Sequence, residues 1–338
     1  MAKNKLKFHF LGTSAGSPTI ERNVTSLALT FEQKSSWYLF DAGDGTQQQI
    51  LRTSLSLPRL DKIFVTHMHG DHCYGLPGIL TSRGLMSGSE GKVTIFGPKG
   101  IKKFIETILK LSHTKLKYPI DFVEVTQSET VFEDENEKFD CVKLSHDVPS
   151  YAYVVQEKDR PGAFDVSKAK AAGIPSGPLY GKLTRGEKVT LEDGREFDGK
   201  DFVGEAKKGR KVIIGGDNDS PELLNGYLQD AEVFVHESTH TVDVKENLVW
   251  KARHSTAASV AQVAQEKNVK NLILTHFSPR FSLRVIDEDD SSMCRIREEA
   301  EGIYKGNLNL AQDFDCFCLN RQGELTLEKR KAVKRRKS

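Results

Sequence analysis

Residues 65–75 read VTHMHGDHCYG and contain three histidines and an aspartate within six positions. The apolar run KIFV comes directly before them and predicts a strand that ends at this motif. Because alternate residues of an extended segment project to the same side, His67 and His69 can bind one cation. The glycine turn that follows directs Asp71 and His72 toward a second position. Mixed imidazole and carboxylate ligands suit Zn²⁺, Mn²⁺ or another first-row divalent ion, so the motif predicts a metal site.

Three more polar residues stand at the ends of predicted strands, as the first motif does. The segments CVKLSHDVPS, KVIIGGDND and NLILTHFSPR supply His146, Asp217 and His276. Each of the three, taken singly, is as compatible with a structural role as with metal binding. Taken together they complete two ligand sets, so we predict two divalent ions per subunit, with zinc favoured over manganese. The first set is His67, His69 and His146, the second is Asp71, His72 and His276, and Asp217 bridges them.

Composition and charge place few limits on function. The chain has 338 residues, 38% of them hydrophobic, and a formal net charge of +2, so it can bury a sizeable core and its average charge does not indicate a nucleic-acid binder. Seven Lys and Arg residues lie between Lys329 and Lys337, in a tail (329–338) that is either solubilising or anion-attracting. The start MAKNKLKFHFLG predicts a strand and not a signal peptide, and no run of about 20 apolar residues could span a bilayer. We therefore predict a soluble, cytoplasmic protein without membrane association.

The five cysteines are an odd number and lack the spacing of a disulfide framework. Cys316 and Cys318 place both thiols on one face of a predicted strand, so a zinc-binding pair is conceivable. No second Cys or His pair follows them, which favours buried free thiols instead.

Two runs of predicted strands, each finishing with helices, indicate an α/β protein. We expect two β-rich halves packed face to face and covered by helices. From Asp159 to about Lys200 the chain is rich in Gly, Pro and Lys with little apolar periodicity, which predicts an insertion without a core of its own. The domain would thus cover 1–328, with an arm at about 159–200.

These motifs resemble those of the metallo-β-lactamase superfamily and, within it, the ribonuclease Z family. The resemblance rests on LGTSAGSPTIERN, LFDAGDGTQQQI, THMHGDHCYGLPG, SHDVPSYAY, VHEST and HSTAASVA. It implies a metallo-β-lactamase-like αβ/βα four-layer sandwich with an inserted, protruding arm. It further implies a homodimeric endoribonuclease that removes 3′ trailers from tRNA precursors by two-metal hydrolysis and leaves a 3′-hydroxyl. The alternatives are another phosphodiesterase or exonuclease on this fold, and a metal-free RNA-binding module, which the complete ligand set disfavours.

Three residues are candidates for the proton transfers. Asp71 is placed by the sequence to orient a water nucleophile or accept its proton, and the resemblance implies the same role. Cleavage benefits from a general acid, and His254 in RHST is the candidate, held by Glu237 in VHEST. The alternative is that this pair is only structural. We expect His236 and His240 to be structural or surface residues.

Two segments are candidates for contact with RNA. The resemblance implies an arm whose Gly-Pro element clamps the tRNA elbow, and IPSGPLYGKLTRG carries Gly177, Pro178, Lys182 and Arg185. The alternative is a flexible loop.

SPTIERN resembles the family's Pro-x-Lys-x-Arg-Asn loop, which is associated with sensing the 3′ CCA end. Arg22 and Asn23 match that pattern, but Ile20 stands where it has Lys, so discrimination against CCA stays open.

Overall fold

The computed structural model describes residues 5–87, 91–249, 252–283 and 292–328. The chain separates into two compact units. The main unit comprises Met1–Glu133, Phe139–Val155 and Lys211–Ser338, and the arm unit comprises Asp134–Lys138 and Gln156–Arg210. The arm unit includes the insertion predicted at 159–200 and extends beyond it in the sequence on both sides. The basic tail predicted at 329–338 lies outside the described residues.

The described residues form strands and helices that alternate along most of the chain. The strands are β1 (Leu6–Gly12), β2 (Ser26–Phe31), β3 (Trp37–Phe40), β4 (Leu60–Phe64), β5 (Val93–Pro98), β6 (Ile120–Val125), β7 (Glu129–Glu133), β8 (Glu137–Leu144), β9 (Ser150–Glu157), β10 (Lys188–Thr190), β11 (Glu196–Asp198), β12 (Lys211–Ile214), β13 (Val233–Glu237), β14 (Asn271–Thr275), β15 (Asn307–Leu310), β16 (Cys316–Leu319) and β17 (Leu325–Glu328). The helices are α1 (Thr46–Leu51), α2 (Gly70–Cys73), α3 (Leu76–Ser87), α4 (Ile101–Leu111), α5 (Val166–Ala171), α6 (Pro178–Thr184), α7 (Asn225–Leu228), α8 (Val242–Glu246), α9 (Ala257–Glu266) and α10 (Met293–Ile303). Among the described helices none is both long and apolar enough to cross a membrane.

Two sheets form the framework of the main unit. The first has the strand order β17-β16-β1-β2-β3-β4-β5-β6, and the second has the order β15-β14-β13-β12-β9-β8-β7. Strands β3 to β6 run parallel, and so do β12 to β15. Every residue of β13 and β14 is buried, which explains their apolar runs at 233–235 and 272–274, because parallel strands are covered on both faces.

The two sheets share one apolar core, and helices cover their outer faces. Successive residues of β12 point alternately to the two faces of its sheet. Val212 and Ile214 lie in the core between the sheets, which residues of β1 also line, whereas Ile213 packs against residues of α9 and α10 on the outer face. On the other side, α1, α3 and α4 pack on residues of β3, β4 and β5. This arrangement confirms the predicted four-layer αβ/βα sandwich of the metallo-β-lactamase type.

The parallel strands of the second sheet end at one level, which positions the polar residues that follow them. Ile214 lies opposite Val235, and Glu237 lies opposite Thr275, so β12, β13 and β14 finish at the same edge. His276 comes directly after β14 and takes a left-handed backbone conformation with φ of 57°. A non-glycine residue in this conformation is uncommon and is often found at functional sites.

The arm unit has a small core of its own, so the prediction that the insertion lacks one is wrong. Its buried apolar residues come from α5, α6, β10, the loop after α5 and the short 3₁₀ turn after β11, with no regular spacing in the sequence. They are Ala169, Ile174, Leu183, Val189 and Phe202. At the ends of the unit, the Arg210 guanidinium donates to both carboxylate oxygens of Glu157, at 2.7 and 2.8 Å, and both side chains are buried. Such a paired, buried fork holds the two ends of the unit together.

Candidate metal centre

The motif between β4 and α2 contributes the first group of donor atoms. His67 Nε2 and His146 Nε2 lie 3.1 and 3.3 Å from His69 Nδ1. Asp217 Oδ2 lies 3.6 Å from His67 Nε2 and 3.8 Å from His146 Nε2. The four residues offer ligand atoms within 4.8 Å of one another, which is close enough for one ion.

A second group lies on the other side of Asp217. The Nε2 atoms of His72 and His276 are 3.2 Å apart, and each is 3.4 Å from Asp71 Oδ2. Asp217 Oδ1 lies 3.4 Å from both imidazoles. One carboxylate oxygen of Asp217 therefore faces each group, which is the bridging arrangement that the sequence predicts. The structure brings all seven predicted ligands together.

Hydrogen bonds orient three of the imidazoles, those of His72, His146 and His276, so that their Nε2 lone pairs point into the centre. His72 Nδ1 lies 2.7 Å from Asp41 Oδ2, and His146 Nδ1 lies 2.8 Å from the carbonyl oxygen of Arg253. Both partners only accept, so both Nδ1 atoms donate. The Thr239 hydroxyl donates to Glu237 at 2.6 Å and therefore accepts from His276 Nδ1 at 3.0 Å.

The electrostatics of the centre fit a bound cation. Burial and the neighbouring imidazoles hold the pKa of His67 well below its usual value and also lower that of His69, which favours the neutral form that ligates metal. Burial alone would raise the pKa of Asp71, but His72 and His276 keep it well below its usual value. Lone pairs of two imidazoles 3.2 Å apart repel each other unless a positive charge lies between them. The donor set thus fits divalent ions of the first transition row.

Asp41 is a functional residue that the sequence analysis missed. Besides holding His72, its carboxylate accepts hydrogen bonds from the Thr66 backbone amide at 2.7 Å and from the Thr66 hydroxyl at 2.8 Å. Its backbone is left-handed, with φ of 54°. Asp41 follows the apolar strand β3 as His67 follows β4, so the same strand-end pattern was available as a signal.

Glu237 and His254 form a hydrogen-bonded pair beside the centre. His254 Nδ1 lies 3.1 Å from Glu237 Oε1 and 3.7 Å from Asp217 Oδ2. Glu237 is buried, and its oxygens also accept from the backbone amides of Ser255 and Thr239 at 2.8 and 2.9 Å. The carboxylate is therefore fixed, and it fixes one edge of the imidazole.

The pair is charged at neutral pH. Burial alone would lower the pKa of His254, but Glu237 and then Asp217 raise it to about 9. Burial acts in the opposite sense on Glu237, yet His254 lowers the pKa of that carboxyl to about 2. His254 can thus hold a proton next to the cluster. It also lies within ligand distance of Asp217 and His276, but its Nδ1 is already bonded to Glu237, which favours a proton carrier over a ligand.

His236 and His240 are both buried, so of the two predicted alternatives the structure supports the structural role. His236 Nδ1 lies 2.8 Å from the carbonyl oxygen of Glu237, and its Nε2 lies 3.2 Å from Asn218 Nδ2. Both ring nitrogens of His236 are therefore occupied.

The Gly-Pro element of the arm unit starts a helix. Gly177 precedes α6 with φ of 149°, and Pro178 occupies its first turn, where a missing amide proton costs nothing. Lys182 and Arg185 are exposed. Arg185 Nε lies 2.6 Å from Glu187 Oε1, so Lys182 has the freer positive charge of the two.

Of the two residues in the loop SPTIERN that we predict to bind the substrate, Arg22 does not face solvent. Arg22 is buried, with 2% of its surface exposed, and its Nη2 donates to the carbonyl oxygens of Ser278 and Phe281. It shapes the loop from inside instead of facing solvent as a phosphate contact would. Asn23 is half-buried and donates to the carbonyl oxygen of Asp44 at 2.9 Å, whereas Ile20 is fully exposed.

Comparisons with known proteins give one consistent picture. A family model described as "Beta-lactamase superfamily domain" matches residues 36–165. "Ribonuclease Z" of Brevibacillus brevis is 45% identical over 314 residues, covering 93% of this chain and 96% of that protein. "Ribonuclease Z" of Ligilactobacillus salivarius is 45% identical over 315 residues, covering 92% and 96%. The crystal structure of human tRNase Z, short form, is 25% identical with a TM-score of 0.63, covering 92% of this chain and 98% of that one.

Proposed function

The chain belongs to the ribonuclease Z family, and from this premise we propose that it is a metal-dependent endoribonuclease that removes 3′ trailers from tRNA precursors and leaves a 3′-hydroxyl on the tRNA. The observation that carries the proposal is the Glu237–His254 pair beside the Asp217-bridged cluster. A cluster of this kind suits hydrolysis of many esters, whereas an alkoxide leaving group needs a positioned acid as well.

We propose that two divalent ions, most consistent with zinc, occupy the cluster in the two ligand sets given above. When bound, such ions generate a water nucleophile at neutral pH and neutralise the charge that develops on the phosphate. Asp71 would orient that water or accept its proton. The backbone amide of Gly16 donates to Asp71 Oδ2 at 2.7 Å, which fixes the direction of the carboxylate.

His254 would donate the proton that the departing ribose oxygen requires. Its imidazole is mostly buried, yet 14% of the side chain is exposed, so the ring can reach a substrate without losing its bond to Glu237. The carboxylate keeps the imidazole charged before the reaction and holds its orientation, as a general acid requires. Burial of the pair excludes bulk water as a competing partner of that proton.

We propose that the arm unit binds precursor tRNA through its exposed face. Gly177 and Pro178 shape the start of α6, and Lys182 with Arg185 would meet backbone phosphates, which gives affinity without sequence readout. In the SPTIERN loop Asn23 keeps the role suggested by the resemblance. Arg22 supports the loop from within.

We further propose a cytoplasmic homodimer. The exposed apolar residues Leu85 and Met86 at the end of α3 support this, because a second copy would cover them. Light scattering of the purified chain measures the subunit number directly.

The activity is tested with a trailer-bearing tRNA precursor, made with and without an encoded CCA, followed by mapping of the 3′ ends. We expect a cut at the discriminator base of the CCA-less precursor, and loss of that cut when divalent ions are chelated. If Ile20 removes the discrimination against CCA, the CCA-containing precursor is cut at a rate comparable to that of the CCA-less precursor. A chain that degrades both precursors stepwise from the 3′ end, or cuts only small phosphodiesters, would instead be the exonuclease or phosphodiesterase considered from the sequence.

Asp41→Asn should weaken metal binding without touching a ligand. The new amide would face His72 Nδ1 with a donor, so the imidazole loses the acceptor that fixes it. Residues that orient metal-binding histidines typically contribute about 10- to 100-fold in affinity. Competition with a chromophoric chelator measures the change, and Asp44→Asn, an exposed residue of the same loop, is the matched control. Equal affinities of the Asp41 variant and the native chain would exclude this role for Asp41.

A further inference from the structure

Two thiols and a carboxylate meet on the outer face of the first sheet, and none of them belongs to the centre described above. Cys316 of β16 lies opposite Glu328 of β17 and His9 of β1, and Cys318 lies opposite Lys7. Residues directly opposite each other in antiparallel strands, and alternate residues of one strand, share a face. The other face of the same strands carries core residues such as Phe8 and Phe317, so the cluster faces away from the core.

The donor atoms in this cluster are close enough to hold one ion. One ligand atom each of Cys316, Cys318 and Glu328 lie within 4.8 Å of one another. Cys316 Sγ is 3.9 Å from Glu328 Oε2. The Cys316 thiol is also within hydrogen-bonding reach of the Cys318 thiol and of the His9 imidazole. The two sulfurs and the Glu328 carboxylate can therefore meet at one ion, and His9 lies opposite Cys316 beside them.

The thiols differ in environment, in a way that favours binding over inert burial. Cys318 is buried, whereas Cys316 is only half-buried and can be reached from solvent. Cys316 can therefore meet an ion that arrives from solvent, while Cys318 supplies a sulfur from inside the protein.

We propose that Cys316, Cys318 and Glu328 bind a thiophilic divalent cation, with zinc as the closest chemical match. Two sulfurs and an oxygen make a soft donor set that zinc accepts in tetrahedral geometry, with the fourth position left for water. The bound cation would join β16 to β17, the edge strand of the first sheet. Its role would be to hold this short edge strand in place.

Two lysines already contact the carboxylate of this cluster, and Lys7 is the nearer of them. Its Nζ lies 3.1 and 3.0 Å from the two carboxylate oxygens of Glu328. An ionised carboxylate offers about four lone-pair sites, so Lys7 and a metal ion can share Glu328. Lys5 Nζ lies 3.8 Å from Glu328 Oε1 as well, so a divalent ion would share this carboxylate with two lysines, and its own charge would balance the thiolates that bind it.

A disulfide is the other product that a thiol pair can form, and the geometry disfavours it. Alternate residues of a strand lie about 6.6 Å apart along the strand, at the upper end of the Cα separation that a disulfide spans. All five cysteines are free thiols in the structure. Metal binding needs no such approach of the two backbones, because the ion bridges the sulfurs.

Cobalt distinguishes this site from the candidate metal centre, because thiolate ligands give Co²⁺ a near-ultraviolet charge-transfer absorption that imidazole and carboxylate ligands do not. The full chain is stripped with a chelator and titrated with Co²⁺ alone. We expect the thiolate absorption to correspond to one thiolate-bound cobalt per chain and to saturate by three cobalt ions per chain in all, because the candidate metal centre takes up two. Cys316→Ser and Cys318→Ser should each abolish it, and Cys294→Ser, at an exposed cysteine, should leave it unchanged.

Glu328→Gln keeps the test valid if the cysteine variants fold poorly, since this half-exposed side chain can be changed without opening the core. We expect about a tenfold loss of cobalt affinity in this variant, as for other lost metal contacts. The absence of a thiolate absorption in the native chain would overturn the proposal. Loss of the absorption in Cys73→Ala would also overturn it. Cys73 belongs to α2 beside the candidate metal centre, so the thiolate signal would then come from that centre.

Discussion

Replacing residues 161–206 by the dipeptide Asn-Gly should lower kcat/KM for a tRNA precursor by at least about 100-fold, equivalent to about 2.7 kcal/mol of transition-state stabilisation. Arg160 and Lys207 exchange two backbone hydrogen bonds of 3.0 and 2.8 Å, so a two-residue turn can join them as a hairpin. The variant would lose the arm's core and its exposed lysines together, and with them the phosphate contacts that hold the RNA.

The control for this deletion is hydrolysis of bis-p-nitrophenyl phosphate, which is too small to need the arm. Its rate should stay close to that of the native chain if the deletion removes RNA binding only. Equal losses on both substrates would contradict a binding role and make the arm unit a structural part of the enzyme. Lys182→Ala refines the result and should give a smaller, salt-dependent loss on the precursor, with Lys115→Ala, an exposed lysine of the main unit, as its matched control.

The sequence predicts the centre better than it predicts its surroundings, and the reason is local. His67, Asp217 and His276 each lie within three residues of the end of an apolar strand, and polar residues at the ends of neighbouring parallel strands come together at one edge of a sheet. The four-layer fold follows from the same strands, since β13 and β14 each contain three consecutive apolar residues that need covering on both sides. The apolar runs that mark the strands are enough to predict both the metal centre and the four-layer fold.

Features that depend on register or on irregular packing could not be predicted. The arm's core residues, among them Ile174 and Leu183, come from short helices and loops without a common period. Burial of Arg22 depends on carbonyl oxygens more than 250 positions away in the chain. Glu328 lies opposite Cys316 only because β16 and β17 pair in one particular register. The sequence alone therefore favours free thiols, whereas the structure adds the Glu328 carboxylate as a third possible metal ligand.

His254→Ala should lower kcat for precursor cleavage by about 10²- to 10⁴-fold, the usual contribution of a positioned general acid. The departing ribose oxygen is strongly basic and leaves slowly without a proton. The p-nitrophenolate of bis-p-nitrophenyl phosphate leaves without one, so its hydrolysis by the variant should fall only a few-fold. Divalent metal content, measured by mass spectrometry, should be unchanged, because the seven ligands do not include His254.

The dependence on leaving group separates the possible roles of His254 in a way that a single rate cannot. A metal ligand supports the nucleophile for both substrates, so its loss would slow both equally and reduce the metal content. A structural residue would slow both equally and lower the thermal stability. Only a proton donor gives a large loss on RNA together with a small loss on the activated ester. His113→Gln, at an exposed histidine outside the centre, should behave as the native chain on both substrates.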